Sequence, residues 1–497
     1  MENQEAAPSP VRGPLGRRVR DRLVRDRRVL IASVAGCVVL GGVLTLLPWG
    51  RTATAPAPAP GAQAHAAVAA GVPAALPDLA VLIGERERRL RAHPEDARSW
   101  TVLGTAYVER GRRTADPAYY PRAETALRRS LKLRRKRDAE TLGGLAALAN
   151  ARRDFRAARA WAEAARQARP GRWTTYPLLI DADTGLGDHE AAQDALDRLM
   201  KLRSGPAVLA RAAGVYRDRG RREDAAAALS DAAAGARAPA ERAGYLERAG
   251  QLAWERGEPE DALRYFREAV RLDPDQRAAQ AGQGRVLAAL GRTKEALSAY
   301  RVALDGQPCP QYALELGELY ESLGLGRQAL AQYELLRARV RDAAAGGADE
   351  ELVLGWFEAD HGDARAAVGR LRAEWARQPG TAVADALGWA LYRAGEYQEA
   401  LRFAALATDK EKGGGVRSAP YVFHRGMIER ELERYGPARR HLQEALRINP
   451  YFSPVHAGAA RAALAELGEP SLTDVPVMDV PVTDAPVTDA PVTDARE

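Results

Sequence analysis

Cysteine is almost absent: the 497 residues hold only Cys37 and Cys309. Two cysteines this far apart build no disulfide framework and no thiolate metal site. Histidine is sparse as well, and His65, His93, His189, His361, His424, His441 and His456 show neither HExxH nor Cys/His spacing, which removes the usual zinc hydrolase patterns. There is no Gly-Lys-Ser/Thr phosphate loop and no Gly-x-Ser-x-Gly elbow, so phosphoryl and acyl transfer have no visible apparatus. Gly324, Gly326 and Ala329 loosely fit a dinucleotide fingerprint, but no strand precedes them. No catalytic residue, metal site or cofactor is expected, and the chain reads as a non-enzyme. Aromatic residues make up 6%, and long β-branched runs appear in one place only, which argues against a sheet protein. Ala, Leu, Arg and Glu dominate instead, and these favour an all-α fold. The net charge of +7 is spread, with Arg alternating with Asp and Glu; Arg128 to Arg137 is the one basic cluster, so no nucleic-acid partner is expected.

The single long apolar run, residues 29–47, is nineteen uncharged residues, about enough to cross a bilayer core of roughly 30 Å as a helix. Arg12, Arg17, Arg18, Arg20, Arg22, Arg25, Arg27 and Arg28 precede it, and such a flank stays on the cytoplasmic side. The predicted order is a basic cytoplasmic segment 1–28, a transmembrane helix 29–47, an Ala/Pro-rich stalk 48–77 and a body outside the cytoplasm. Three other readings of the run stay open: a signal peptide cleaved near Ala64 to Ala66, a lipoprotein box ending at Cys37, and a twin-arginine signal at Arg27–Arg28.

Within the body, Leu246, Ala249, Gly250, Ala253, Ala262, Phe266, Ala269 and Pro274 recur thirty-four residues later as Gln280, Gln283, Gly284, Leu287, Ala296, Tyr300, Ala303 and Pro308. Further copies run through Leu316, Gly317, Tyr320, Ala329 and Tyr333, and through Leu387, Gly388, Leu391, Gly395 and Ala400, with others starting near Trp100, Leu142, Tyr176, Leu209, Val353 and Val422. This ladder resembles the tetratricopeptide repeat, a helix-turn-helix unit. The resemblance implies a superhelical solenoid of about ten units over 78–452. In eight units a glycine stands two helical turns further on and is expected to end the first helix in the left-handed conformation: Gly111, Gly187, Gly220, Gly257, Gly291, Gly324, Gly362 and Gly395. The unit at Leu142 has Arg152 and Arg153 there instead, and Thr114 to Pro121 lengthen the turn of the first unit. A capping helix is expected over 453–469. Beyond it the Pro-Val-Thr-Asp-Ala repeats of 470–497 place Pro every five residues, which predicts a disordered tail.

In proteins of this kind the first helices line a concave groove. At the positions facing it after Gly235, acids outnumber bases seven to three although the whole chain is basic. The predicted partner-binding groove comprises Glu247, Trp254, Glu255, Glu318, Glu321, Trp356, Asp360, Asp385, Trp389, Tyr392, Phe423 and Met427. Trp356 and Trp389 could instead pad the interior between helices. The function implied is a membrane-tethered scaffold taking a protein or peptide segment with basic and apolar side chains; an accessory subunit or substrate-guiding arm of an envelope enzyme is the alternative.

Overall fold

The computed structural model describes residues 58–134, 138–410 and 414–468. The predicted membrane helix at 29–47, the segment before it and the tail at 470–497 lie outside the described residues. Among the described residues no helix is long and apolar enough to cross a membrane.

The body is helical throughout. Antiparallel helix pairs follow one another from Pro60–Ala70 with Leu76–Ala92, through Pro239–Glu255 with Pro259–Leu272, to Ala419–Glu431 with Tyr435–Ile448, and the single helix His456–Leu467 closes the series. Local sequence sets the boundaries. The side chains of Asp96, Asp138, Asp154 and Asp188 each accept a hydrogen bond from the backbone N–H three residues on, satisfying a free donor of the helix they start. Elsewhere Pro stands in the first turn, as at Pro206, Pro239, Pro259 and Pro310, where its missing N–H costs nothing.

The pair Pro60–Ala70 and Leu76–Ala92 corrects the expected stalk. Its composition reads as a linker, yet Ala64 and Ala74 are buried with Leu79, Leu82, Val102 and Ala106. Alanine favours helix where a neighbouring face covers it, so residues 60–77 belong to the folded body.

Within each unit the small residue works as its spacing predicts. A Cβ placed on Gly104 would lie 2.6 Å from Leu127 Cγ, on Gly250 2.7 Å from Phe266, and on Gly284 2.6 Å from Tyr300. Phe266 also meets the next unit, since a Cβ on Gly282 would come within 2.5 Å of its ring, and it is 1% exposed. A large side chain of the second helix, such as Phe266 or Leu127, therefore seats between two first helices, and this is the repeating core contact.

The turns divide more finely than the glycine spacing suggests. Gly187, Gly220, Gly257, Gly291, Gly324 and Gly395 adopt φ between 71° and 85°. Gly111 does not: its helix runs on to Thr114, and Ala115 takes the left-handed conformation instead. Gly362 has φ −138°, so it ends its helix without a left-handed turn. Two units lack the glycine: Glu433 adopts φ 58° in one, and in the other Arg153 adopts φ 59° and its carbonyl accepts a hydrogen bond from Gln378 Nε2 at 2.8 Å.

That bond belongs to a seam. Turns of the early units touch loops of units far along the chain: Gln307 donates to Arg112 O, His189 meets Thr381 Oγ1, and Asn449 donates to Trp254 O, at sequence separations of 195, 192 and 195 residues. One superhelical turn thus takes roughly six 34-residue repeats, and the second turn lies directly on the first. The seam is polar and buried: Arg113 pairs with Asp273 at 2.8 Å with both side chains under a tenth exposed, and Gln378 and Asn449 are each 2% exposed. Arg113 Nη2 bonds Asp273, Gln378 Nε2 bonds Arg153 O and Asn449 Nδ2 bonds Trp254 O, so removing one partner strands a buried polar group.

Candidate functional site

Because the superhelix closes on itself, its first helices enclose an interior instead of an open groove. A cavity of about 630 Å³ on the inner face is lined by Trp254, Glu255, Glu318 and Trp356 of the predicted set together with Arg217, Arg285 and Glu315. Loop residues 416–421 and 449–454 of the second superhelical turn complete its wall. A second cavity of about 380 Å³ adjoins it, where Glu247 and Glu255 meet Asp181, Arg211 and Arg248.

The acids of this interior are not free. Arg217 holds Glu255 through two bonds of 2.7 Å, and Arg285 holds Glu315 at 2.7 Å while also donating to Gln251. Burial pushes the Glu255 carboxyl up, but Arg217 outweighs it and keeps the acid below its usual range. Burial likewise opposes the charge on Arg285, and Glu315 more than restores it. Among the described residues Glu247 has no such partner at bonding distance, and desolvation raises its pKa despite Arg248 and Arg285 nearby. The sign reversal read from the first helices is therefore largely cancelled in the folded interior. Arg217 lies before Gly235, outside the units in which the charges were counted, and no spacing rule ties it to Glu255.

The remaining predicted residues lie elsewhere. Glu321 is exposed at a helix end, bonded to Tyr333 Oη at 2.7 Å and beside His361 at 3.1 Å. Asp385, Trp389, Phe423 and Met427 are buried at 1%, 3%, 1% and 7% exposure, so they present almost no surface to a partner. Trp389 stacks on His424 at 4.3 Å and on Tyr392 at 4.7 Å, and its Nε1 donates to Asp360 at 2.9 Å. His424 in turn sits 2.9 Å from Asp385. The cause is the capping helix. His456 at its head reaches across the inner face to within 3.4 Å of Asp360 and packs on Trp389 and Phe423, filling what would have been the groove of the last units. For Trp389 the padding role holds, whereas Trp356 remains half-buried at the cavity wall. Among the described residues no group of three or more His, Cys, Asp or Glu could hold a metal ion.

A model of the tetratricopeptide repeat family matches residues 247–313. No curated protein matches the chain. Among solved structures, MamA is similar at 20% identity over 34% of this chain and 97% of its own, with a TM-score of 0.28. YrrB, described as a tetratricopeptide-repeat protein with an unusual peptide-binding site, is similar at 19% identity over 37% of this chain and 95% of its own, TM-score 0.27. A tetratricopeptide-repeat protein from Parabacteroides merdae ATCC 43184 shares 16% identity over 53% of this chain and 99% of its own, TM-score 0.31. The family match falls on the units where the ladder is most complete and where Phe266 and Tyr300 seat against Gly250 and Gly284, so residues 247–313 carry tetratricopeptide repeats.

Proposed function

We propose that this chain is a non-enzymatic scaffold, tethered to a membrane by residues 29–47 with its repeat body outside the cytoplasm, whose superhelical interior takes a segment of a protein partner. Tetratricopeptide repeats generally mediate protein–protein interaction, and the cavity beside Trp254 and Trp356 is the observation that carries the reading here. Its volume of about 630 Å³ lies within the range of roughly 300–1,000 Å³ typical of ligand clefts, enough for a few side chains of an extended segment. Trp356 supplies apolar contact area, and the half-buried Glu318 carboxylate is placed to receive a Lys or Arg of that segment. The paired charges Arg217–Glu255 and Arg285–Glu315 frame the cavity without adding net charge, so apolar contact rather than bulk electrostatic attraction dominates the affinity.

Site-specific photo-crosslinking in the full-length protein tests this. A crosslinker at Trp356 should capture one discrete partner, and one at the exposed, outward Arg264 should not. Capture of the same partner only from outer-surface positions sinks the interior-binding reading. Reporter fusions at the carboxy terminus that are active only in the cytoplasm sink the orientation.

A further inference from the structure

In a stack of antiparallel helix pairs, the loops from each second helix to the next first helix lie along one edge, and the turns within pairs lie along the other. Here the seam uses the turn edge of the first superhelical turn and the loop edge of the second. Among the described residues nothing covers the loop edge of the first turn, and its charge differs sharply from its counterpart. Counting each loop with four helical residues on either side, the five first-turn loops from 93–96 to 236–238 carry twelve Arg or Lys against five Asp or Glu among the described residues. The second-turn loops from 273–276 to 449–455 carry six against nine.

Two further observations point to what meets this basic edge. Arg91, Arg169, Lys201, Arg203 and Arg237 are all exposed, and none has an ion pair or side-chain hydrogen bond among the described residues; Arg203 lies 5.8 Å above the ring of Trp173. Between them Met200 is 47% exposed and Trp173 half-exposed, apolar groups that a phosphate backbone would not need. Moreover, Pro60 starts a first helix, and first helices begin at the loop edge, so the chain joins the body on this side. Only twelve residues separate Leu47, the end of the apolar run, from Pro60, a reach of at most about 40 Å.

We propose that the first-turn loop edge docks on an anionic lipid surface, with Arg and Lys at the headgroups and Trp173 and Met200 at the interface. The inference rests on the tether reading for its orientation and adds a second, electrostatic contact to it. Such pairing of a hydrophobic anchor with a basic patch gives firmer, salt-sensitive attachment than either alone. It also stands the superhelix with its axis along the membrane normal, so the opposite edge, including Leu323 and Leu325, faces away.

The test uses the full chain reconstituted with vesicles of zwitterionic lipid alone or with phosphatidylglycerol added, followed by hydrogen exchange and by flotation. The loops 166–173 and 199–205 should gain protection with anionic lipid, lose it at high salt, and leave 321–328 unchanged. A variant carrying Arg169→Gln, Lys201→Gln, Arg203→Gln and Arg237→Gln should lose that protection, each change weakening the contact about fivefold. Flotation with both vesicle types and equal loop exchange in both would overturn the docking and leave the tether intact. Flotation with anionic vesicles only, abolished by salt, supports the docking and sinks the tether. Protection of the same loops by duplex DNA but not by anionic vesicles overturns the proposal in favour of a nucleic-acid partner.

Discussion

Gly257 and Gly291 offer a matched pair for measuring the seam. Both end a first helix with nearly the same conformation, φ 76° and 72°, so substitution by Ala imposes on each the left-handed penalty of roughly 1–2 kcal/mol. Their surroundings differ. A Cβ on Gly257 would stand 2.8 Å from Ile448 O and 3.1 Å from Asn449 Cα, both backbone atoms of the second superhelical turn, whereas a Cβ on Gly291 meets nothing within 4 Å. The loop at Asn449 cannot easily withdraw, because its side chain is buried and donates to Trp254 O at 2.8 Å. Overpacking of this kind adds about 1–3 kcal/mol. Gly257→Ala should therefore cost about 2–5 kcal/mol and Gly291→Ala about 1–2 kcal/mol. Urea unfolding of the two variants measures the difference, and hydrogen exchange at 447–452 locates it, with faster exchange expected in Gly257→Ala alone. Equal losses, with unchanged exchange at 447–452 in both, would refute the seam as a structural constraint.

Replacing Phe266, which is 1% exposed and seated between Gly250 and Gly282, by Ala should cost about 3–5 kcal/mol; an unchanged thermal midpoint contradicts the core contact. Trp389→Ala should destabilise the last units, because its ring is buried against His424 and its Nε1 bonds Asp360, while Trp356→Ala should leave the melt near wild type and weaken partner capture; the reverse pattern refutes the assignment. A pH dependence follows from the inner-face histidines. Burial lowers the pKa of both His361 and His456, but Glu318 and Glu321 around the first and Asp360 beside the second outweigh it, so both stand above the unfolded value of about 6.5. Their stabilisation is complete below that value and lost as pH rises through the folded one; Asp360, which burial would raise but His456 and Trp389 hold down at about 2, keeps its contribution until the pH falls towards that value. The urea midpoint should thus be higher at pH 6 than at pH 8.5, and His456→Gln should shrink the difference; a higher midpoint at pH 8.5 contradicts it.

The helix pairs were legible because their determinants are local and periodic. A glycine facing a ring sixteen residues later leaves a pattern that repeats along the chain, and Gly250–Phe266, Gly284–Tyr300 and their copies meet as spaced. Residues 60–77 were misread because an Ala/Pro-rich composition does not show whether a neighbour will cover it; Leu79 and Leu82 do. The turn at Arg153 was hidden for a related reason. The carbonyl and side chain of Arg153, at φ 59°, are held by Gln378 and Glu350, some two hundred residues on. Of the candidate site, Trp254, Glu255, Glu318 and Trp356 share one cavity as their helix positions suggest. Asp385, Trp389 and Phe423 do not open onto it, since the covering contact comes from His456, whose reach across the inner face no single-helix periodicity encodes.

The seam also bears on how the chain folds. A stack whose units touch only their neighbours has short-range contacts, and it can nucleate anywhere and grow outward. Here Arg113 waits for Asp273, Phe155 for Gln378 and Trp254 for Asn449, contacts whose sequence separations of 160, 223 and 195 residues carry a loop-closure cost unless the intervening helices are already in place. The first coil should therefore assemble quickly and remain with its buried polar groups open to water, and the second should close on it in a later, slower step. Translation from the amino terminus delivers the units in that order, so until the loop at Asn449 has been made the nascent chain carries an exposed, half-satisfied rim, the state in which it is most exposed to mispairing with another copy of itself.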